Sequence, residues 1–161
     1  MFIYTSSSPK KTRELGEILG SCVEPGQIIL LSGNLGSGKT VFVKGIAEGM
    51  GIKDQITSPT YSLINEYTGN PSLFHLDLYR LENSSRLNDI GVLDYLEREG
   101  VMVVEWPEIL KDIIPDDYLE IIFCRESEKL NTEKRELKFS VCGLMSQKLF
   151  EEMLSNVDSG N

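Results

Sequence analysis

The stretch "GNLGSGKT" at 33–40 has residue types and spacing suited to one kind of chemistry, the holding of phosphate. It matches G-x-x-x-x-G-K-[ST]. Gly33, Gly36 and Gly38 let the backbone turn sharply, so that loop N–H groups, with those of Asn34, Leu35 and Ser37 among them, point inward at anionic oxygens. Lys39 has the reach for β- and γ-phosphates, and Thr40 offers a hydroxyl to the Mg²⁺ that accompanies them. A chain of 161 residues meets the pattern by chance on the order of once in a hundred times, so a coincidental glycine turn is disfavoured. The dinucleotide pattern G-x-G-x-x-G is absent from the loop, which argues against NAD.

A Mg–nucleotide site also needs an acid at the end of a second strand, to hold the metal directly or through water. Two acids meet that condition. Glu105 ends the apolar run "VMVV" in "VVEWPE", followed by the chain's only tryptophan, Trp106, and by Pro107. Asp77 lies in the alternating "SLFHLDLYR", sharing a face with His75 and Tyr79. Glu105, ending a fully apolar strand, is the better match to an acid emerging beside the phosphate loop and is assigned the metal with Thr40, Asp77 orienting the attacking water; the reverse order stays open. For His75, the sole histidine, a packed or hydrogen-bonded place beside the site is favoured over a general base, because NTP hydrolysis rests mainly on positioning and charge.

The elements that must position these residues follow from pattern. "SSSP" at 6–9 opens a helix, with Ser8 as cap and Pro9 in the first turn. "QIILLSG" at 27–33 is a strand buried on both faces, and "TVFVKGIAEGMG" at 40–51 is the helix leaving the loop. "TSPTYSLINEY" at 57–67 begins as a loop and becomes a strand; 72–80 and "VMVVEW" are further strands. A helix is expected near 92–99, ended by Gly100. "YLEIIFC" (118–124) and "ELKFSVC" (136–142) pair antiparallel across the charged loop 125–135, and a last helix lies near 145–155. The expected fold is α/β: a single P-loop NTPase-like domain over 1–161, with a mostly parallel central sheet, antiparallel edge strands and flanking helices. A disordered tail is expected over about 156–161.

Bulk properties narrow the class. With 25 acids against 16 bases the net charge is −9, which argues against tight unaided binding to nucleic acid. The three cysteines, Cys22, Cys124 and Cys142, form no C-x-x-C, so disulfide or zinc frameworks are not expected. No apolar run approaches the ~20 residues of a membrane helix, and the N-terminal charges follow rather than precede the apolar stretch; a cytoplasmic location is expected.

"GNLGSGKT", "SPTYSLINEY", "FHLDLYRL" and "VVEWPE" together, in this order and at these intervals, resemble the TsaE (YjeE) family over about residues 9–143. Members of that family are small bacterial P-loop ATPases required for threonylcarbamoyladenosine formation in tRNA. The resemblance implies that Lys39 and Thr40 bind phosphates and Mg²⁺, that ATP is the nucleotide, and that Asp77 and Glu105 are the acids of the ATPase site. It implies a switch-like loop at "SPTYS" with Thr60 near the γ-phosphate, Trp106 beside the nucleotide, and Thr12 and Arg135 as outer contacts. It also implies partners: the carbamoyl-transferring subunit and its inactive paralogue, with tRNA reached through them and no membrane. The family usually has Asp where this chain has Asn34, a departure that leaves the loop's N–H groups intact.

Two other classes were weighed against a partner-dependent ATPase. A small-molecule kinase needs an acceptor pocket and usually an arginine-bearing lid; only Arg80 and Arg86 are near, and no lid-like segment stands out. A nucleotide-gated binding switch with negligible turnover is the non-enzyme reading, and the missing N-K-x-D disfavours a GTPase form of it.

Overall fold

A computed structural model describes residues 2–81, 85–125 and 134–159 of the chain. Seven strands form one sheet: β1 (Phe2–Ser6), β2 (Ile28–Gly33), β3 (Ile64–Tyr67), β4 (Ser72–Asp77), β5 (Gly100–Glu105), β6 (Tyr118–Arg125) and β7 (Arg135–Cys142). Their spatial order is β1-β7-β6-β2-β5-β4-β3. The centre, β6-β2-β5-β4, is parallel; β7 and β1 extend one edge antiparallel and β3 extends the other. The expected parallel core with antiparallel edge strands is therefore the observed one.

Helices cover both faces. One face packs α1 (Pro9–Cys22), α2 (Lys39–Gly49) and α5 (Leu144–Ser159) on the sheet through Leu15, Leu19, Phe42, Ile46, Leu149 and Met153. The other carries the short α3 (Ser85–Asp89) and α4 (Val92–Leu96), with Leu87 and Val92 closing over Leu30, Leu76 and Val104. Central strands buried on both faces account for the unbroken apolar runs at 28–31 and 101–104. α1 starts as its sequence indicates: the Ser8 side chain accepts from Lys11 N at 3.2 Å and Pro9 sits in the first turn. Among the described residues no helix is long and apolar enough to cross a membrane.

Two local expectations are revised, one strand was not anticipated, and one expected loop lies mostly outside the described residues. The N-terminal residues form a strand, β1, which pairs with β7 in the register Phe2↔Phe139 to Ser6↔Arg135. The helix expected to reach 99 stops at Leu96; Gly100 opens β5 instead, because a side chain there would strike the Phe74 ring. α5 runs through Ser159, so residues 156–159 are helical rather than tail. Val157 packs on the core and Asn156 Nδ2 lies 3.2 Å from Cys22 Sγ, which holds that last turn. Of the charged loop expected at 125–135, residues 126–133 lie outside the described residues, as do 160 and 161 at the end of the expected tail.

Candidate functional site

The carboxyl ends of the parallel strands gather the residues singled out by type and spacing. β2 delivers the glycine loop directly into α2. Gly33 and Gly38 hold φ of 134° and 110°, backbone that L side chains rarely adopt, and a Cβ on Gly33 would run into the Phe123 carbonyl. The loop closes on itself through Ser37 N to Asn34 O at 3.1 Å. Asn34, Leu35 and Gly36 are exposed at its tip, whereas Ser37 is buried and its Oγ has no hydrogen-bond partner. A buried hydroxyl with no partner among the described residues, in a glycine loop at a helix N-terminus, suits an anionic oxygen.

Lys39 is buried, and its Nζ donates to the carbonyls of Gly33 (2.5 Å) and Asn34 (3.1 Å). It stands 4.2 Å above the centre of the Trp106 ring. Burial pushes the ammonium below its ordinary value, against the raising pull of Glu105, Asp77 and Glu108. Arg135 reaches the loop from β7, its Nε donating to Ser37 O at 2.8 Å.

Thr40, the next residue of α2, donates from Oγ1 to Glu105 Oε1 at 3.0 Å, with Oε2 at 3.3 Å. Glu105 ends β5 and pairs in register with both Leu31 of β2 and Asp77 of β4. Both acids are buried, at 3 % and 4 % exposure, so each must be satisfied by donors. Asp77 is: Thr60 Oγ1 donates to its Oδ2 at 3.0 Å, Ser58 Oγ does so at 3.3 Å, and Tyr79 N donates to Oδ1 at 3.0 Å. Glu105 takes its remaining partner from His75, whose Nε2 lies 2.9 Å from Oε1.

β5 then ends abruptly. Trp106 N continues the ladder to Leu31 O at 3.1 Å, but its backbone turns left-handed (φ 60°, ψ 60°) and Pro107 opens a 3-10 turn, Pro107–Ile109. That turn throws the indole over Lys39 and against Tyr79, ring centres 4.8 Å apart.

The expected residues thus converge, with one exception in degree. Thr12 is wholly buried in α1 and, among the described residues, its hydroxyl meets Ser6 Oγ (2.8 Å) and Ser8 O (3.2 Å) rather than the loop. It bears on the loop only through Ser6, which is in register with Arg135. Reading by residue type missed the His75–Glu105 bond and the role of Ser58. Period-two spacing did put His75 and Asp77 on one face, but the bond depends on the β4–β5 register, which no local pattern encodes.

Among the described residues no three His, Cys, Asp or Glu side chains gather as a metal cage. A threonine hydroxyl and two neighbouring carboxylates beside the glycine loop could instead serve an ion that keeps waters and takes its other ligands from phosphate, as Mg²⁺ does.

Comparison with known proteins identifies the family and agrees with the fold. The family model described as "Threonylcarbamoyl adenosine biosynthesis protein TsaE" matches residues 6–137. The chain is 35% identical over 147 residues to the "tRNA threonylcarbamoyladenosine biosynthesis protein TsaE" of Bacillus subtilis, covering 91% of this chain and 89% of that one. It is 40% identical over 111 residues to the protein of the same name from Treponema pallidum, covering 69% and 82%. The crystal structure of Bacillus subtilis YdiB superposes with a TM-score of 0.81 at 30% identity, covering 98% of this chain and 95% of that one.

Proposed function

The chain belongs to the TsaE family of tRNA threonylcarbamoyladenosine biosynthesis, and from that premise we propose that it is a partner-dependent, Mg²⁺-requiring ATPase serving that modification. It acts on the carbamoyl-transferring subunit and its inactive paralogue and reaches tRNA only through them; a net charge of −9 suits such indirect action better than direct RNA binding.

The observation that carries the reading is the Thr40–Glu105 hydrogen bond. It ties the hydroxyl that follows the loop lysine to the acid at the end of the neighbouring strand, the pairing a Mg–nucleotide site requires. In the proposed reaction the loop N–H groups and the Ser37 hydroxyl take phosphate oxygens, and Lys39 exchanges the carbonyls of Gly33 and Asn34 for them. Thr40 and Glu105 hold Mg²⁺, which supplies charge neutralisation at the β- and γ-phosphates. Asp77, already bonded to Thr60 and Ser58, orients the attacking water and couples it to the 57–63 loop. Trp106 covers Lys39 and the nucleotide side of the strand end, Arg135 braces the loop, and Thr12 supports it through Ser6. An exposed site rim, with Leu35 at 64 % and Tyr61 at 84 %, leaves apolar surface for partner subunits to cover.

The test is to measure ATP turnover and threonylcarbamoyl-tRNA formation with and without the two partner subunits, using GTP as a control. Turnover that rises with the partners, and modification that stalls when Lys39→Ala replaces the wild-type chain, are the expected results. Turnover and modification both indifferent to the partners would sink the proposal.

A further inference from the structure

His75 is the only histidine of the chain, and it sits in β4 with no exposed surface. It faces Val103 of β5 on one side and Asn65 of β3 on the other, so strands wall the ring in on both edges. Its Nε2 lies 2.9 Å from Glu105 Oε1, and its Nδ1 is buried with no hydrogen-bond partner among the described residues. These two facts favour a proton on Nε2. A proton on Nδ1 would bury an unsatisfied donor and set a bare Nε2 against a carboxylate oxygen. A proton on Nε2 makes a charge-assisted bond and leaves only an acceptor unpaired.

Glu105 Oε1 thereby receives two donors from two elements, Thr40 Oγ1 from α2 and His75 Nε2 from β4. The carboxylate cannot rotate away from Thr40 without also breaking the imidazole bond. A ring without solvent contact, its Nε2 already committed to Glu105, has no path to an attacking water.

Resting on the Mg–ATP reading of this site, we propose that His75 is a positioning residue, its Nε2 holding the Glu105 carboxylate onto Thr40 in the geometry the metal requires. It acts through Glu105 and touches neither nucleotide nor water.

The first experiment needs no nucleotide. With ¹⁵N-labelled histidine, the single imidazole gives one set of ring resonances; the expected pattern has a proton on Nε2, and a bare Nε2 overturns the proposal. The second compares variants in the full chain with its partners. His75→Gln places an amide nitrogen where Nε2 stands, His75→Leu removes the donor, and His75→Asn has a donor too short to reach. His75→Leu and His75→Asn are expected to lower kcat by about tenfold to a hundredfold and to raise the Mg²⁺ needed for half-maximal turnover, with Mg-free nucleotide affinity within about twofold of wild type. His75→Gln is expected to restore most of the rate. Equal loss in His75→Gln and His75→Leu, or wild-type Mg²⁺ dependence in His75→Leu and His75→Asn, overturns it. If His75→Leu does not fold, the Asn and Gln variants still decide the matter. If the wild-type chain turns over no ATP with its partners, the ATPase reading fails instead, and the tautomer measurement still judges the His75–Glu105 pairing.

Discussion

Asp77 and Glu105 lie side by side, in register at the carboxyl ends of adjacent parallel strands, yet they hold hydroxyls from different segments. Glu105 holds Thr40 of the loop helix, and Asp77 holds Thr60 and Ser58 of the 57–63 segment. Two neighbouring carboxylates with separate partners imply separate tasks.

Removing each acid should therefore fail in a different way. Glu105→Ala is expected to lose turnover by about a hundredfold or more and to raise the Mg²⁺ requirement, while Mg-free nucleotide binding is retained. Asp77→Ala is expected to lose turnover at an unchanged Mg²⁺ requirement, and to speed amide exchange over 57–62 because the Ser58 and Thr60 anchors are gone. Mg²⁺ titrations of turnover, with hydrogen exchange on the ligand-free chain, check both. A shifted Mg²⁺ requirement in Asp77→Ala alone would exchange the two roles. Chelating Mg²⁺ from the wild-type chain should reproduce the Glu105→Ala behaviour.

Lys39 carries a stability cost that its function explains. Burial holds its ammonium below the ordinary 10.5, so the folded chain binds this proton less tightly than the unfolded chain does. The penalty is present at neutral pH, where the group is charged in both states, and is relieved as pH rises through the depressed value towards 10.5. Ligand-free Lys39→Met should thus melt above wild type at neutral pH, with the gap narrowing on the alkaline side, and should bind no nucleotide. The carbonyls of Gly33 and Asn34 lose a donor in that variant, a smaller loss than an orphaned N–H. Melting curves from neutral pH to about 10 decide it; a variant less stable by the same amount at every pH would show that the ammonium stabilises the fold.

What could be read from the sequence was what local pattern encodes. The glycine loop, the strand before it and the helix after it are contiguous, so spacing alone placed Gly33 to Thr40. Glu105 and Trp106 were legible as the end of an apolar run because Pro107 cannot continue a ladder. β1 was not legible: five residues with one face exposed carry little signal, and the strand exists because β7 supplies an edge for it. The same holds for the partners of the site acids. Which hydroxyl meets which carboxylate depends on strand order β2-β5-β4 and on register, both tertiary properties.

The α1–α2 contact behind the site is equally tertiary, and it can be tested without touching the chemistry. A Cβ on Gly45 would overlap the carbonyl oxygen of Arg13, and one on Gly20 would overlap that of Ile46, so backbone meets backbone between the helices. Gly45→Ala gains about 1 kcal/mol of helix propensity but forces the helices apart, at a net cost of about 1–3 kcal/mol. Because α2 begins at Lys39, turnover should fall along with the melting temperature. Denaturant unfolding and a rate assay on the same variant check this; unchanged stability would mean that the two helices can separate at this crossing without cost.

Trp106 should report directly on Lys39. It is the only tryptophan, its ring centre is 4.2 Å from the ammonium, and Tyr79 packs on its other contact surface. A left-handed backbone costs a non-glycine residue about 1–2 kcal/mol, which the ladder bond to Leu31 and these ring contacts offset. When phosphate oxygens compete for Lys39, the ammonium moves relative to the indole and the emission changes. Mg–ATP titration is expected to give a saturable change in wild type and none in Lys39→Met. Tyr79→Leu should leave nucleotide affinity within about threefold while altering the starting emission, since a packing partner is lost but the cation stays. A Lys39→Met chain that still shows the full wild-type response would separate the indole from the lysine and remove Trp106 from the site.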